Sequence, residues 1–369
     1  MKVVYVGHYS GDSGWGQAAR DYILAMDSVG IDVVCRNIRL RHAQVKLPPR
    51  IEELEQKSAV GAKVVIQHVL PEHMEYHGSV KNIALYVDEV RHTTVDLTVQ
   101  KLSMMDEVWC PNNQLSEECA YMTERTCLVV PHAFDMSRLM QNVKPLNICN
   151  DGSFCFYTIA DMHRRKNLTG LMQAFNIAFH PNEPVNLVIK TGSHYLSPSE
   201  AKKHLTNVYE KSVGALGLRN EYKQPIIITE RMTDEQIIAL HKEMDCFVLP
   251  SFGEGWCIPG FEAMANGKYP IMTGVYGPAD YIEPEVGDLL YCEEERIFGV
   301  ENGVDYIYNA NNIWNVCTVN EIVEAMKEAY ENLTGSNDIV DGLAERSYNR
   351  ANAFSYDAVG KRIQNILCE

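Results

Sequence analysis

The chain has 369 residues, of which 46% are hydrophobic and 22% charged, a composition ordinary for a globular protein and a length that suggests two cores rather than one. Its formal net charge of −16 argues against non-specific binding of DNA, RNA or anionic lipid, so no nucleic acid partner and at most peripheral membrane contact are expected. No apolar run approaches the ~20 residues needed to span a bilayer. The start, Met1 to Gly7, reads as a first strand rather than a signal peptide. Eleven cysteines, with no Cys-x-x-Cys pair, read as buried reduced thiols of a cytoplasmic protein, not as a disulfide or zinc framework.

Val3 to Val6 is an apolar strand that runs into a turn carrying Gly7, Gly11, Gly14 and Gly16. Ala18, Ala19, Tyr22, Ile23 and Met26 follow at helical spacing, and Gly30 ends the helix. This strand–turn–helix order lets backbone N–H groups approach a phosphate. The turn lacks the Gly-x-Gly-x-x-Gly dinucleotide pattern, however, and plain turn chemistry accounts for it equally well. Ile31 to Val34 is a second strand. Arg36 to Arg50, with Pro48 and Pro49, reads as an exposed loop whose Arg36, Arg39, Arg41, Lys46 and Arg50 are a solvated face in the simpler reading and a seat for an anionic acceptor or membrane surface in the other.

Val64 to Ile66 and Ile83 to Val87 are further short strands. Gln67 and His68 follow the first; Asp88, Glu89 and His92 follow the second. Residues leaving the C-terminal ends of parallel strands face the ligand crevice of an open α/β sheet. Another strand around Val108 leads to a helix from Gln114 to Met122. Leu128 to Val130 then runs into Pro131 and His132, a histidine that either lines the crevice or is structural. Lys144 to Gly152 has the composition of an interdomain linker.

A second series of alternations begins with the strand Phe154 to Ile159. His163, Arg164, Arg165 and Lys166 lie between it and an amphipathic helix that includes Leu171 and Phe175; such a run normally reads as a solvated charge cluster. Val185 to Lys190 is a strand whose exit flanks the crevice. Ile226 to Thr229 is another, followed by Glu230, Arg231 and a helix in which Thr233 and Gln236 have capping-box spacing. Cys246 to Leu249 is a buried strand ended by Pro250. After a loop containing Glu254, Gly255, Trp256, Cys257 and Ile258, Pro259 and Gly260 open a short helix that places Glu262 in its first turn. A helix N-terminus offers unpaired N–H groups to a phosphate, and a nearby carboxylate can accept from sugar hydroxyls. The plainer alternative makes Glu254 a solvated loop residue and Glu262 a partner of the helix dipole.

The filled-in stretch Leu249-Pro-Ser, Glu254-Gly-Trp and Pro259-Gly-Phe-Glu-Ala-Met-Ala-Asn-Gly267 resembles the donor-sugar loop of retaining glycosyltransferases of family 4, with the Glu-x7-Glu spacing met by Glu254 and Glu262. The resemblance implies an α/β protein of GT-B fold, two Rossmann-like doubly wound domains facing a central cleft. Residues 1–147 would form the acceptor-side domain and 148–353 the nucleotide-sugar domain, with a last helix, 354–369, packing back on the first. It implies a metal-independent transfer of a sugar from a UDP- or GDP-sugar to an acceptor hydroxyl of a glycan, a lipid-linked sugar or a small molecule, with no further cofactor.

By the same resemblance Lys166 and Arg165 stabilise the departing diphosphate, with Arg164 able to stand in for Arg165, because the family's arginine is usually nearer Asp161. Glu254 holds sugar hydroxyls, Glu262 grips the ribose, and Arg231 and Lys190 neighbour the nucleotide. Gly14, Trp15 and Gly16 face the diphosphate and acceptor, and Asp88 or, preferentially, Glu89 reaches the sugar. Ala133 replaces a usual glycine in the turn after His132. Two rival classes use the same scaffold: an epimerase or a phosphorylase, of which the second would need a pyridoxal lysine and a longer chain, and a nucleotide-sugar-binding protein without turnover.

Overall fold

The computed structural model describes residues 1–39, 44–149, 151–193, 195–218, 222–300, 307–335 and 340–368. Arg41, one of the early arginines, lies outside them. The chain divides into two compact units: Met1–Met136 with 296–313 and 351–369, and Ser137–Glu295 with 314–350.

The first unit contains β1 (Lys2–Gly7), α1 (Gly14–Ser28), β2 (Asp32–Asn37), α2 (Pro49–Glu55), β3 (Val64–His68), β4 (Lys81–Leu85), β5 (Arg91–His92), α3 (Leu97–Leu102), β6 (Glu107–Cys110), α4 (Asn113–Thr123) and β7 (Thr126–Val129). Six strands form one parallel sheet in the order β2-β1-β3-β4-β6-β7. The apolar runs of β1 to β4 and β6 are largely buried on both faces, as a parallel sheet requires, and the edge strand β7 is partly buried. The expected basic loop is not one surface. Arg36 lies in β2 and donates to the carbonyls of Cys35, Glu55 and Lys57, while Arg50 lies in α2 and pairs with Asp27 and Glu53. Pro49 at the start of α2 is favourable to a helix, because its missing N–H would have had no partner there.

The second unit contains β8 (Phe154–Ile159), α5 (Leu168–Ala178), β9 (Val185–Lys190), α6 (Pro198–Gly214), β10 (Ile226–Ile228), α7 (Asp234–Glu243), β11 (Cys246–Leu249), α8 (Ile258–Ala265), β12 (Tyr269–Thr273), α9 (Tyr276–Tyr281) and β13 (Asp288–Leu290), most of β14 (Glu293–Arg296), the last three residues of β15 (Asn312–Val316), α10 (Val319–Thr334) and most of α11 (Leu343–Asn352). Its parallel sheet runs β10-β9-β8-β11-β12-β13. Thr233 and Gln236 form the full capping box of α7.

α12 (Tyr356–Cys368) belongs to the first unit and packs on α1. Val359 and Ile363 are buried, Tyr356 donates to Asp21 at 2.5 Å and Gln364 to the Val29 carbonyl at 3.0 Å. Gly360 permits the approach, since a Cβ there would stand 2.4 Å from the Ala25 carbonyl oxygen.

The cysteine expectation needs correction. Cys149 and Cys155, six residues apart, form a disulfide, and the other nine are free. Gly152, at φ 80°, turns the chain back between them in a backbone conformation that glycine adopts without strain.

Beyond β4 the chain is locked by a buried charge triad. His92 holds Asp88 at 2.8 Å through Nε2 and Asp96 at 2.6 Å through Nδ1, and Asp96 also caps α3 by accepting from the Val99 N–H. Burial opposes protonation of His92, but the two carboxylates outweigh it and raise the imidazole to about 10. Removing one partner of a buried ion pair costs roughly 3–5 kcal/mol. Because the folded value lies above the ordinary 6.5, the contribution of His92 is complete below about pH 6.5 and is lost as pH rises toward 10. We expect His92→Gln to lower the thermal unfolding midpoint most near pH 6.5 and progressively less toward pH 10. A difference from the unmodified protein that stays constant over that range would exclude the charged triad.

Candidate functional site

In the second unit the strand order reverses beside β8, so the exits of β8 and β11 emerge side by side. This switch point is where ligands bind in open α/β sheets. After β8 the chain makes a single 3-10 turn, Arg164–Lys166, with His163 accepting from the Arg165 N–H at 3.2 Å. Asn167, at φ 49°, then caps α5 by accepting from the Gly170 N–H. After β11 the loop from Pro250 to Cys257 is fastened to that turn, because the Phe252 N–H donates to the Arg165 carbonyl at 2.7 Å.

The two exits bring three predicted residues together. Glu254 is buried, and one of its oxygens, Oε1, accepts from Lys166 Nζ at 2.7 Å and from an Arg165 guanidinium nitrogen at 3.1 Å. The same Arg165 nitrogen reaches the Gly253 carbonyl at 2.5 Å. Burial pushes the Glu254 carboxyl up, but Lys166 and Arg165 outweigh burial and hold it below its ordinary value. Glu254 is therefore a buried, paired carboxylate rather than a solvated loop residue.

The loop continues through Gly255, Trp256 and Cys257 into α8. Trp256 and Cys257 are buried, and Trp256 packs on Phe261 and Tyr281 with ring centroids 5.7 and 5.1 Å apart. Their side chains thus shape the loop, and what the loop presents is mainly backbone. Cys257 sits at φ 62°, an uncommon left-handed conformation for a residue with a Cβ. Close approach fixes the loop from the other side, since a Cβ on Gly277 would lie 2.4 Å from the Trp256 Cα.

α8 begins at Ile258, one residue earlier than expected. Pro259 is its second residue, and Glu262 falls in its second turn, not its first. Glu262 is buried and engaged. Arg138 reaches Oε1 at 2.6 Å and His241 Nε2 lies 3.5 Å from Oε2. Burial raises this carboxyl, and Arg138 followed by His241 more than reverses the shift.

The remaining predicted cations of this unit are dispersed. Lys190 ends β9 and donates to the Thr191 carbonyl at 3.2 Å; burial lowers its ammonium pKa, opposed by Asp161 and Glu230. Arg231 is exposed, three residues beyond β10. Arg164 is exposed and lines a cavity of about 410 Å³ together with His163, His204, Leu205 and Phe252.

In the first unit the sheet reverses beside β1, so the turn after β1 neighbours the end of β3. Ser13 caps α1 by accepting from the Gly16 N–H at 3.1 Å, and a Cβ on Gly16 would stand 2.1 Å from the Gly11 carbonyl oxygen. Gly14 opens the helix, and Trp15 stacks on the His68 ring with centroids 5.1 Å apart. His68 is fully buried with Tyr5 OH 2.7 Å from Nδ1, and His132 packs edge-on against Tyr22. Burial pushes His132 down to about 3, and burial, His132 and His8 push His68 well below its ordinary value. This layer is uncharged at neutral pH.

Asp88 and Glu89 follow β4 in different states. Asp88 is buried and accepts from His92, from Tyr86 OH and from the Glu89 N–H, whereas Glu89 is half-buried and accepts from Tyr308 OH. Sequence reading named His92 only as a polar residue and missed Asp96, Arg138 and His241. The Asp88–His92–Asp96 spacing of four was visible but lies in no helix at its start. Arg138 and His241 carry no local motif at all.

Comparison with known proteins adds family and fold. Residues 145–312 match the family model described as glycosyl transferases group 1, a span that takes in Arg165, Lys166, Glu254 and Glu262. No curated protein sequence matches the chain. Among solved structures, the chain is similar to a sucrose-phosphate synthase from Thermosynechococcus elongatus at 13% identity and TM-score 0.66, covering 100% of this chain and 98% of that one. It is similar to Anabaena HepE in complex with UDP-glucose at 13% identity and TM-score 0.66, covering 100% and 99%. It is also similar to the lipopolysaccharide outer core galactosyltransferase WaaB, apo form, at 14% identity and TM-score 0.59, covering 100% and 99%. At these identities the likeness is one of fold, and the fold is GT-B: two Rossmann-like α/β units with parallel sheets, of which residues 145–312 carry the group 1 glycosyl transferase pattern.

Proposed function

We propose that this chain is a retaining glycosyltransferase of family 4 type, moving a sugar from a nucleoside-diphosphate sugar to an acceptor hydroxyl. The observation that carries the reading is the clustering of Lys166 and Arg165 on one oxygen of buried Glu254, at a sheet switch point and within the span that matches group 1 glycosyl transferases. Two cations against one carboxylate leave one positive charge in excess, which suits a diphosphate. Charge develops on that diphosphate as the glycosidic bond breaks, and cations already in place stabilise it without reorganisation. Lys166 spends one of its three N–H donors on Glu254 and has others to offer phosphate oxygens.

In this reading Glu254 accepts from hydroxyls of the donor sugar through its second oxygen, and Glu262 accepts from the ribose. The start of α8 contributes backbone N–H groups and its dipole. Retention follows if the acceptor attacks the face the diphosphate leaves, with a diphosphate oxygen taking its proton. Because Lys166 and Arg165 supply the neutralising charge, the reading needs no metal. In the first unit Glu89 is the sugar contact, and Asp88 holds the Glu89 backbone. Gly14, Trp15 and Gly16 serve the diphosphate and acceptor side, and His132, packed on Tyr22 of the helix they open, is assigned to the same side. A cytoplasmic setting belongs to the same proposal, supported by nine free cysteines, with Cys149–Cys155 as the exception.

The test is binding of UDP, GDP and ADP, then turnover of the matching nucleotide-sugars, starting with UDP-glucose because a fold neighbour holds it. Lys166→Ala should lower turnover by about 100- to 1,000-fold, the usual scale for one transition-state donor, with a much smaller loss of nucleotide affinity. Unchanged transfer by this variant would remove Lys166 from the leaving-group role. Glu262→Ala should weaken nucleotide binding by about 10- to 100-fold, the scale of a lost charged hydrogen bond. Conversion of the donor sugar without any acceptor would instead identify an epimerase, and donor binding without even slow hydrolysis a non-catalytic binder.

A further inference from the structure

Glu262 does not stand alone. The 3-10 turn Met136–Met140 delivers Arg138 to its Oε1 at 2.6 Å, with the arginine side chain 17% and the carboxylate 8% exposed. On the other side His241 faces Oε2 at 3.5 Å, and the Tyr157 hydroxyl lies 2.7 Å from His241 Nδ1. Among the described residues, Arg138 and His241 act most strongly on this carboxylate, with Tyr157 behind His241.

The segment after Arg138 is strapped down by the end of α7. Lys242 Nζ donates to the Gln141 carbonyl at 2.6 Å. The Glu243 carboxylate accepts from the N–H groups of Leu146 at 2.8 Å, Asn147 at 2.9 Å and Cys149 at 3.3 Å, and from that of Ile148. Lys242 and Glu243 therefore fix the strap that brings the guanidinium, and their neighbour His241 stands beside the carboxylate that the guanidinium reaches. Such an anchoring is more than a surface ion pair needs.

We propose that Arg138 is a positioning residue for nucleotide binding: it holds Glu262 ionised and in one rotamer, so that the unused lone pairs of the carboxylate can receive the ribose hydroxyls. A carboxylate has about four acceptor sites; Arg138 takes one and His241 Nε2 only stands 3.5 Å from the other oxygen, which leaves room for a vicinal diol. Without Arg138 the carboxylate keeps its burial and loses the largest influence that offsets it, so it binds a proton more readily. A protonated acid turns one acceptor into a donor and matches a diol poorly. The inference rests on Glu262 being the ribose contact, and the experiment separates the two.

The measurement is the dissociation constant of UDP, GDP and ADP for the full chain across pH 5.5–8.5, taken as the ratio of variant to unmodified protein so that titration of the nucleotide itself cancels. Arg138→Met should raise the ratio by about 10-fold at neutral pH, the scale of a charge-assisted hydrogen bond, and raise it further toward acid. Arg138→Lys should restore most of the affinity and flatten the profile. Glu243→Ala, which releases the strap without touching Glu262, should give a weaker version of the Arg138→Met profile. If Glu262→Gln weakens binding but Arg138→Met leaves both affinity and pH profile unchanged, the positioning role is wrong and the ribose contact stands. If Glu262→Gln leaves binding unchanged, or the unmodified protein binds none of the three nucleotides, the ribose contact itself fails. An Arg138→Met loss that is independent of pH and not rescued by lysine would mark a structural role and overturn the proposal.

Discussion

The buried carboxylate of Glu254 is the constraint on which the rest of the second unit's site depends. A carboxylate deprived of water is stable only with cations or donors around it, and leaving it unpaired would cost several kcal/mol. Here the partners are adjacent residues of one short turn, so that turn must hold Arg165 and Lys166 against the β11 exit. The Phe252–Arg165 backbone bond and the Asn167 cap do so. Loop and turn are therefore mutually specified. A change to either leaves charge buried without compensation, which explains why irregular backbone such as Cys257 in the left-handed region is tolerated here.

The two units use the same topology for different electrostatics. Each sheet reverses beside its first strand and so gathers the loops of two adjacent strands at one end. In the second unit that end is charged and compensated, with Arg165, Lys166 and Glu254. In the first it is aromatic and neutral, because burial keeps His68 and His132 from protonating and Trp15 stacks across His68. The strong charge of the first unit is instead the Asp88–His92–Asp96 triad, which ties β4 to α3. A carboxylate committed in that way is poorly placed to exchange partners with a sugar. The triad thus places two neighbouring acids, Asp88 and Glu89, in different surroundings, and the proposed sugar contact is the one outside it, Glu89, the acid that the sequence reading preferred.

What the sequence disclosed, and what it withheld, follows from the range of the interactions. The central strands were legible because burial on both faces demands continuous apolar runs such as Val3 to Val6 and Cys246 to Leu249, whereas the short or polar β5, β13, β14 and β15 were not read. The Glu254 loop was legible because a strand exit, two glycines and a helix-opening proline are local signals. The charge cluster at Arg164–Lys166 was visible, but nothing local showed that Arg165 and Lys166 share one glutamate oxygen while Arg164 faces a different cavity. The short helices α2, α3 and α9 were missed because they have too few turns to establish a period. The Cys149–Cys155 bridge was missed because a spacing of six is no motif, and the left-handed turn at Gly152 that lies between the two cysteines is not visible as one in the sequence.

The same logic explains why the segment from Lys144 to Gly152 misled as a linker. Its Pro, Asn, Asp and Gly residues are those of a flexible connection, and by composition that is all they can indicate. Flexibility is removed from outside the segment, by one carboxylate. Glu243 accepts from four successive backbone N–H groups, an arrangement that fixes the backbone of 146–149 whatever side chains it carries. The disulfide then joins the end of that stretch to β8. A chain segment clasped by its backbone leaves no trace in its own sequence, and the residue that clasps it lies ninety-odd positions away on a helix whose visible signal is the capping box at its other end. The contact of Arg138 with Glu262 is likewise made between segments far apart in sequence, so it belongs to a class of site feature that becomes readable only when the fold is in hand.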